Sequence, residues 1–279
     1  MSQPPYIVLE KPVGQTPLEA IEAWRTTHPE FATLLATYAG RLDPMASGKL
    51  LVLLGEECKR RDAYTGLDKE YEIEVVLDLS TDTGDALGVA SLSNIETHPL
   101  SEALRASLRT LTGAHIVSYP AFSSKTVNGK PLFLYALEGT LDSITIPAHE
   151  ELIYRISLLK HREISKNALQ KRIIKTLSLV PRSSEPSKQL GADFRQDEIR
   201  ERWSEVFASI PDVPERRFTV LTLRVTCASG TYMRTLAKRI ADELGTNGFA
   251  LSIHRTKIGK FKKLGPFSFL SGTFRRGAS

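Results

Sequence analysis

The chain has little cysteine, no long apolar run and a C-terminal stretch without acid, and each shortage excludes a class of protein. Its 279 residues include two cysteines, Cys58 and Cys227, far apart and without metal-ligand neighbours. That supports neither a disulfide framework nor a zinc site, so no metal is expected and a reduced, cytoplasmic setting is. No stretch has the length needed to cross a bilayer, and Met1-Ser2-Gln3-Pro4-Pro5 contains no basic segment leading into an apolar one, so no membrane association is expected. Residues 244–279 contain no Asp or Glu, but they do contain Arg255, Lys257, Lys260, Lys262, Lys263, Arg275 and Arg276. Such an end either attracts phosphates or solubilises the chain. The interleaved Phe261, Phe267, Phe269 and Phe274 either anchor it to the core or stack on bases.

What is present is an ordinary globular composition. With 41% hydrophobic residues and a net charge of +5, the chain buries a full core as one large domain or two small ones. The stretch over 40–55 organises the rest. In it, Arg41-Leu42-Asp43-Pro44 precedes the apolar run Leu50-Leu51-Val52-Leu53-Leu54. Pro44 fixes its own φ and pushes Asp43 toward an extended conformation, so the backbone sets the direction of the carboxylate. A pre-positioned acid suits a nucleophile or a general base.

Upstream, Tyr6-Ile7-Val8-Leu9 reads as a strand, and Thr16-Pro17-Leu18-Glu19 reads as a capping box opening a helix. Residues 28–40 read as a loop, and 56–64 as a polar helix. Over 69–77 the pattern alternates, with Tyr71, Ile73 and Val75 on one face and Glu70, Glu72 and Glu74 on the other, as in a half-buried strand. Thr81-Asp82-Thr83-Gly84-Asp85 reads as a turn-rich structural loop, with a cation site as the alternative. Leu100, Leu104, Leu108 and Leu111 mark a helix closed at Gly113. Tyr119 to Pro131 reads as a loop or loose hairpin around Asn128-Gly129. Residues 160–217 are different in kind: helices over 166–180 and 197–210 are joined by a polar linker over 181–193. They read as a mildly basic helical insertion, which allows an RNA contact without requiring one. A strand over 218–227, the turn Ala228-Ser229-Gly230 and a helix over 231–244 then place backbone N–H groups and Arg234 at a helix start. Spacing alone favours an exposed surface arginine there.

Six ordered stretches add up to a resemblance. They are Lys11-Pro12-x-Gly14-x-Thr16, Gly40-x-Leu42-Asp43-Pro44-x-Ala46-x-Gly48, Thr81-Asp82-Thr83-Gly84-Asp85-x-x-Gly88, Asn128-Gly129-Lys130, Cys227-x-x-Gly230-Thr231-Tyr232-x-Arg234-Thr235-Leu236 and His254-Arg255-Thr256-Lys257-Ile258-Gly259. The chain resembles the TruB-family pseudouridine synthases from Lys11 to Phe261, outside the helical insertion. The resemblance implies an α+β fold with a mixed, mostly antiparallel sheet flanked by helices around an RNA-binding cleft. It also implies isomerisation of a uridine in the T arm of tRNA, position 55, to pseudouridine. There is no redox change and so no cofactor, and the expected partner of a monomeric enzyme is the tRNA T arm.

Carried over residue by residue, the resemblance makes Asp43 the catalytic carboxylate, acting either at the base or at C1′. Arg234 becomes its salt-bridge partner, with Arg41 as the competing one, and Tyr71 stacks on the flipped uracil and helps remove the C5 proton. The expected RNA contacts are Lys11, Tyr38, Arg41, Lys125, Lys130, Arg255 and Lys257, with the segment from Tyr119 to Glu138 closing over the RNA. Three departures stand out. Tyr38 occupies a place where many bacterial members have histidine. The covering-loop lysine of the family falls at Thr126, one position after Lys125. The 18 residues after Phe261 are too few for the C-terminal RNA-binding domain many members carry. The expected organisation is one catalytic domain over 1–279, an insertion over 160–217 and a short basic tail over 262–279. The alternatives are an RNA-binding or tRNA-folding protein with secondary or lost catalysis, and a carboxylate-based hydrolase of nucleosides or sugars.

Overall fold

The computed structural model describes residues 4–93, 101–180, 195–212, 215–264 and 267–271. In chain order its strands are β1 (Tyr6–Lys11), β2 (Ala36–Ala39), β3 (Ser47–Leu54), β4 (Asp68–Leu77), β5 (Leu79–Thr81), β6 (Ala90–Leu92), β7 (Gly113–Ser118), β8 (Thr126–Val127), β9 (Lys130–Pro131), β10 (Ala148–Ser165), β11 (Arg217–Cys227), β12 (Gly248–Leu264) and β13 (Phe267–Ser271). The helices are α1 (Pro17–Thr27), α2 (Arg61–Thr65), α3 (Ser101–Thr110), α4 (Leu132–Leu137), α5 (Lys166–Ser178), α6 (Gln196–Ser209) and α7 (Met233–Glu243). Nine strands form one sheet in the order β1-β3-β12-β4-β11-β10-β7, with β2 added to β3 and β13 to β12. The β12 contact with β3 is parallel and the other pairings are antiparallel. This is the α+β, mostly antiparallel architecture that the resemblance implied. Among the described residues no helix is long and apolar enough to cross a membrane.

Local chemistry accounts for the elements that set the site. The capping box of α1 closes in both directions, Glu19 N–H to Thr16 Oγ1 and Thr16 N–H to Glu19 Oε2. On β4, Tyr71, Ile73 and Val75 are buried while Glu72 and Glu74 stand half-exposed on the other face. Asn128 and Gly129 both take positive φ, 50° and 79°, which is the two-residue hairpin geometry that joins β8 to β9. At Gly48, φ is +105° and an added Cβ would lie 2.4 Å from the Arg255 carbonyl oxygen, so only glycine lets β3 and β12 meet.

Several elements differ from the sequence expectation. Residues 36–39, read as loop, form β2. The long strands β10 and β12 do not stand out in the sequence pattern because register shifts break their two-residue period. These shifts lie at Ile153/Arg155 and Leu158/Lys160 in β10, and at Ala250/Ser252 and Arg255/Lys257 in β12. Gly113, at φ +114°, opens β7 instead of closing the helix. Residues 160–165 belong to β10 and Arg217 to β11, so within 160–217 the helical part starts at Lys166. Its two helices send Leu169, Ile173, Ile199, Trp203 and Phe207 into the same core as the sheet. The linker over 181–193, the tail residues Phe274, Arg275 and Arg276, and Leu100 lie outside the described residues.

Candidate active site

Asp43 opens a tight turn, with the Ala46 N–H donating to the Asp43 carbonyl at 3.0 Å and Pro44 at the second position. A second bond, from the Gly14 N–H to the Pro44 carbonyl at 2.8 Å, ties this turn to the segment after β1. That segment folds around the ammonium of Lys11, which is fully buried and donates to the carbonyls of Pro12 and Gln15. Burial brings the Lys11 pKa down to about 8, with Asp43 pulling it back up. Lys11, expected on the RNA, is therefore a structural cation beneath the Asp43 turn.

Arg234 reaches Asp43 from the first turn of α7. Its side chain is 7% exposed and fans out to three segments: Nε donates to Asp43 Oδ2 at 3.0 Å, Nη1 to the Thr83 carbonyl at 2.8 Å and Nη2 to the Phe122 carbonyl at 3.0 Å. Burial opposes its charge, but Asp43 and Asp85 outweigh that and raise its pKa. The surface position favoured by spacing alone is thus corrected to a buried one. The Asp43 carboxylate keeps 35% of its side chain exposed, so one end is held and the other is open.

Asp85 is the residue that the sequence reading left in a structural loop. Its Oδ2 lies 3.7 Å from Arg234 Nε, and its Oδ1 accepts from the Thr83 hydroxyl and the Leu87 N–H. Burial pushes its carboxyl up to about 6, with Arg234 pulling down and Asp43 pushing further up. Two carboxylates therefore share one guanidinium, and the buried one is brought close to the physiological range. Gly84, at φ +78°, brings this loop against the backbone of α7, since an added Cβ would stand 3.1 Å from the Arg234 carbonyl oxygen. From outside, α6 and the residue that precedes it prop the loop: Trp203 Nε1 donates to the Ala86 carbonyl at 3.1 Å, and Arg195 bonds Asp82 at 2.7 Å. The signal for Asp85 was its place in the Thr-Asp-Thr-Gly-Asp stretch.

A cleft opens beside Asp43, with walls that include Arg41, Thr83, Phe122, Ser123 and Arg234. A smaller recess on its other side adds Tyr71, Tyr232 and Ile253 to Asp43 and Arg234. Burial raises the Tyr71 phenol, and Arg255 counteracts it. The Ser123 hydroxyl is buried in the cleft wall without a hydrogen-bond partner among the described residues.

Of the residues expected on RNA, Arg41 is exposed and lines both hollows. Lys125 is exposed, with its ammonium 4.9 Å from the centre of the Tyr119 ring. Lys130 is bound by Glu138 and lies over Tyr135. Tyr38 packs against the core with Arg61 above its ring at 5.9 Å, and does not line the cleft. Lys257 pairs with Glu70 at 3.0 Å, on the face of β4 opposite to Tyr71. Arg255 is fully buried and donates to the carbonyls of Lys49, Arg41 and Gly40. Its charge holds the backbone leading into Asp43 and does not face solvent. Among the described residues no group of three His, Cys, Asp or Glu is placed to hold a metal.

Comparison with known proteins shows what the chain as a whole is similar to. A family model described as "TruB family pseudouridylate synthase (N terminal domain)" matches residues 31–173. A tRNA pseudouridine synthase B from Aromatoleum aromaticum is 30% identical, over 91% of this chain and 63% of its own length. One from Caldicellulosiruptor saccharolyticus is 27% identical, over 94% and 70%. The chain thus spans about two thirds of the length of the curated relatives it matches. A chain in the crystal structure of a Cbf5-Nop10-Gar1 complex shares the fold, with 18% identity, a TM-score of 0.52, and coverage of 91% of this chain and 48% of that one.

Proposed function

Because the chain belongs to the TruB family of pseudouridylate synthases, we propose that it isomerises a uridine in the T loop of tRNA, position 55, to pseudouridine, with Asp43 as the catalytic carboxylate. The observation that carries this is the state of Asp43: gripped by Arg234 at 3.0 Å yet partly exposed, lining both the cleft and the recess that holds Tyr71. A folded T loop does not expose the target base, so the uridine is flipped out and held against side chains. Tyr71 supplies the face for the ring, and its buried phenol stays neutral at pH 7. Arg41, exposed at the cleft wall, and Lys125, exposed on the loop that supplies Ser123 and Ser124 to that wall, hold the RNA backbone.

The reaction breaks the N1 to C1′ bond, turns the base, joins C5 to C1′ and moves the C5 proton, with no net change of atoms or electrons. Asp43 attacks and later leaves, which requires the ionised form. Arg234 holds the carboxylate in place through a charge-assisted hydrogen bond of 3.0 Å. The test is Asp43→Asn on a T-arm transcript. Pseudouridine formation, read by chemical mapping, is expected to vanish while RNA binding persists. Undiminished product would sink the assignment.

A further inference from the structure

The position of Arg234 depends on the start of α7, and that start has no cap of its own. Tyr232 is the N-cap residue and makes no side-chain capping bond. The first turn is also buried, with Met233 and Arg234 inside, so water does not serve its N–H groups freely. The acceptor comes from β10. Glu151, with no exposed side-chain surface, accepts the Tyr232 N–H through Oε1 at 3.1 Å and sets Oε2 3.5 Å from Arg239 Nη1. Tyr232 and Arg239 lie about two helical turns apart, so one carboxylate touches α7 at two heights on one face. The preceding turn is fixed to the same strand: Ala228 N–H donates to the Leu152 carbonyl at 2.8 Å, and His149 Nε2 lies 3.2 Å from the Gly230 carbonyl oxygen and 3.4 Å from Glu151 Oε1. Neither Glu151 nor Arg239 lines the cleft or its recess.

We propose that Glu151 is a positioning residue for Arg234, capping α7 from the neighbouring strand and setting the height of its first turn. This rests on the roles given above to Asp43 and Arg234. Arg234 bonds three separate segments at once, so any slide of α7 lengthens at least one of those bonds. Strand β10 fixes a second part of the same frame. The His149 ring stacks on Tyr119, with centroids 4.1 Å apart, and Tyr119 begins the loop whose Phe122 carbonyl takes Arg234 Nη2. In this arrangement the reach of the Glu151 side chain matters more than its charge, because the basic groups it pairs with among the described residues, Arg239 and His149, lie outside the cleft.

The experiment compares Glu151→Gln, Glu151→Asp and Glu151→Ala in the full chain. It measures single-turnover pseudouridine formation on a T-arm transcript, RNA affinity, and folded fraction by circular dichroism. Gln keeps the length and an acceptor, and is expected within about threefold of wild type. Asp keeps the charge but is one methylene short; it and Ala are expected to lose on the order of tenfold or more in rate at unchanged RNA affinity. An Asp variant at the wild-type rate would overturn the proposal. So would equal losses in Gln and Asp, or a loss fully explained by weaker binding or a smaller folded fraction. A wild-type chain that forms no pseudouridine would overturn the functional reading beneath it, a result distinct from an active wild type beside an unimpaired Asp variant.

Discussion

Two carboxylates, one half-buried and one fully buried, are treated in opposite ways. Glu74, on the outward face of β4, meets two arginines: Arg162 at 2.9 Å, and Arg172, which reaches over from α5. It also accepts the Ser252 hydroxyl at 2.8 Å. Burial raises its pKa, but these partners outweigh it and bring the carboxyl down to about 2. Asp85, in the loop beneath α7, has to share one arginine with Asp43 and is pushed up to about 6. The difference is the ratio of cations to acids. One face is built so that its acid is always charged, and the site is built so that one of its two acids lies close to taking a proton.

Removing the shared cation should break this contrast most severely. Arg234→Met leaves two carboxylates facing each other. It should lower single-turnover product formation by on the order of 10²–10³-fold and stability by about 3–5 kcal/mol, read by mapping and by urea unfolding. The two acids then sharpen the comparison with opposite signs. For Asp85 the folded pKa of about 6 lies above the unfolded value of 3.8, so between those values the folded state binds more protons and stability falls as pH rises. Relative to Asp85→Asn, the wild type should lose on the order of 3 kcal/mol between pH 4 and pH 7. Equal pH dependence in the two proteins would refute it. For Glu74 the folded pKa of about 2 lies below 4.5, so its stabilisation is present above pH 4.5 and is lost as pH falls through 2. Glu74→Gln should cost on the order of 3 kcal/mol at pH 7, about half that near pH 3, and leave product formation unchanged. A variant as stable as wild type at pH 7 would contradict this.

The parts of the molecule legible in the sequence are those whose cause is short-range. The Asp43-Pro44 turn, the Thr16 capping box, the alternation through Tyr71 and the Asn128-Gly129 turn each follow from a few consecutive residues. The amphipathic helices now seen as α5 and α6 were equally plain. What stayed hidden depends on distant chain. Asp85 reads as an ordinary turn acid until α6 and α7 close over it, and its burial is what changes its chemistry. Lys11 and Arg255 read as free charges until the carbonyls they bind are folded around them. Strands β10 and β12 were obscured by the bulges that let them bend around the core.

The sheet order has a consequence for how the molecule comes into being. β3 and β4, which bear the Asp43 turn and Tyr71, do not touch as sheet neighbours; β12 lies between them. A chain growing from its N-terminus makes both halves of the recess early, yet has nothing to join them until Gly248–Leu264 leaves the ribosome and slots in. Long-range closure of this kind is slow and comes late. The same insertion brings Arg255 under the Gly40 and Arg41 carbonyls, so the segment that completes the sheet also locks the Asp43 turn, and an unfinished chain carries no assembled cleft.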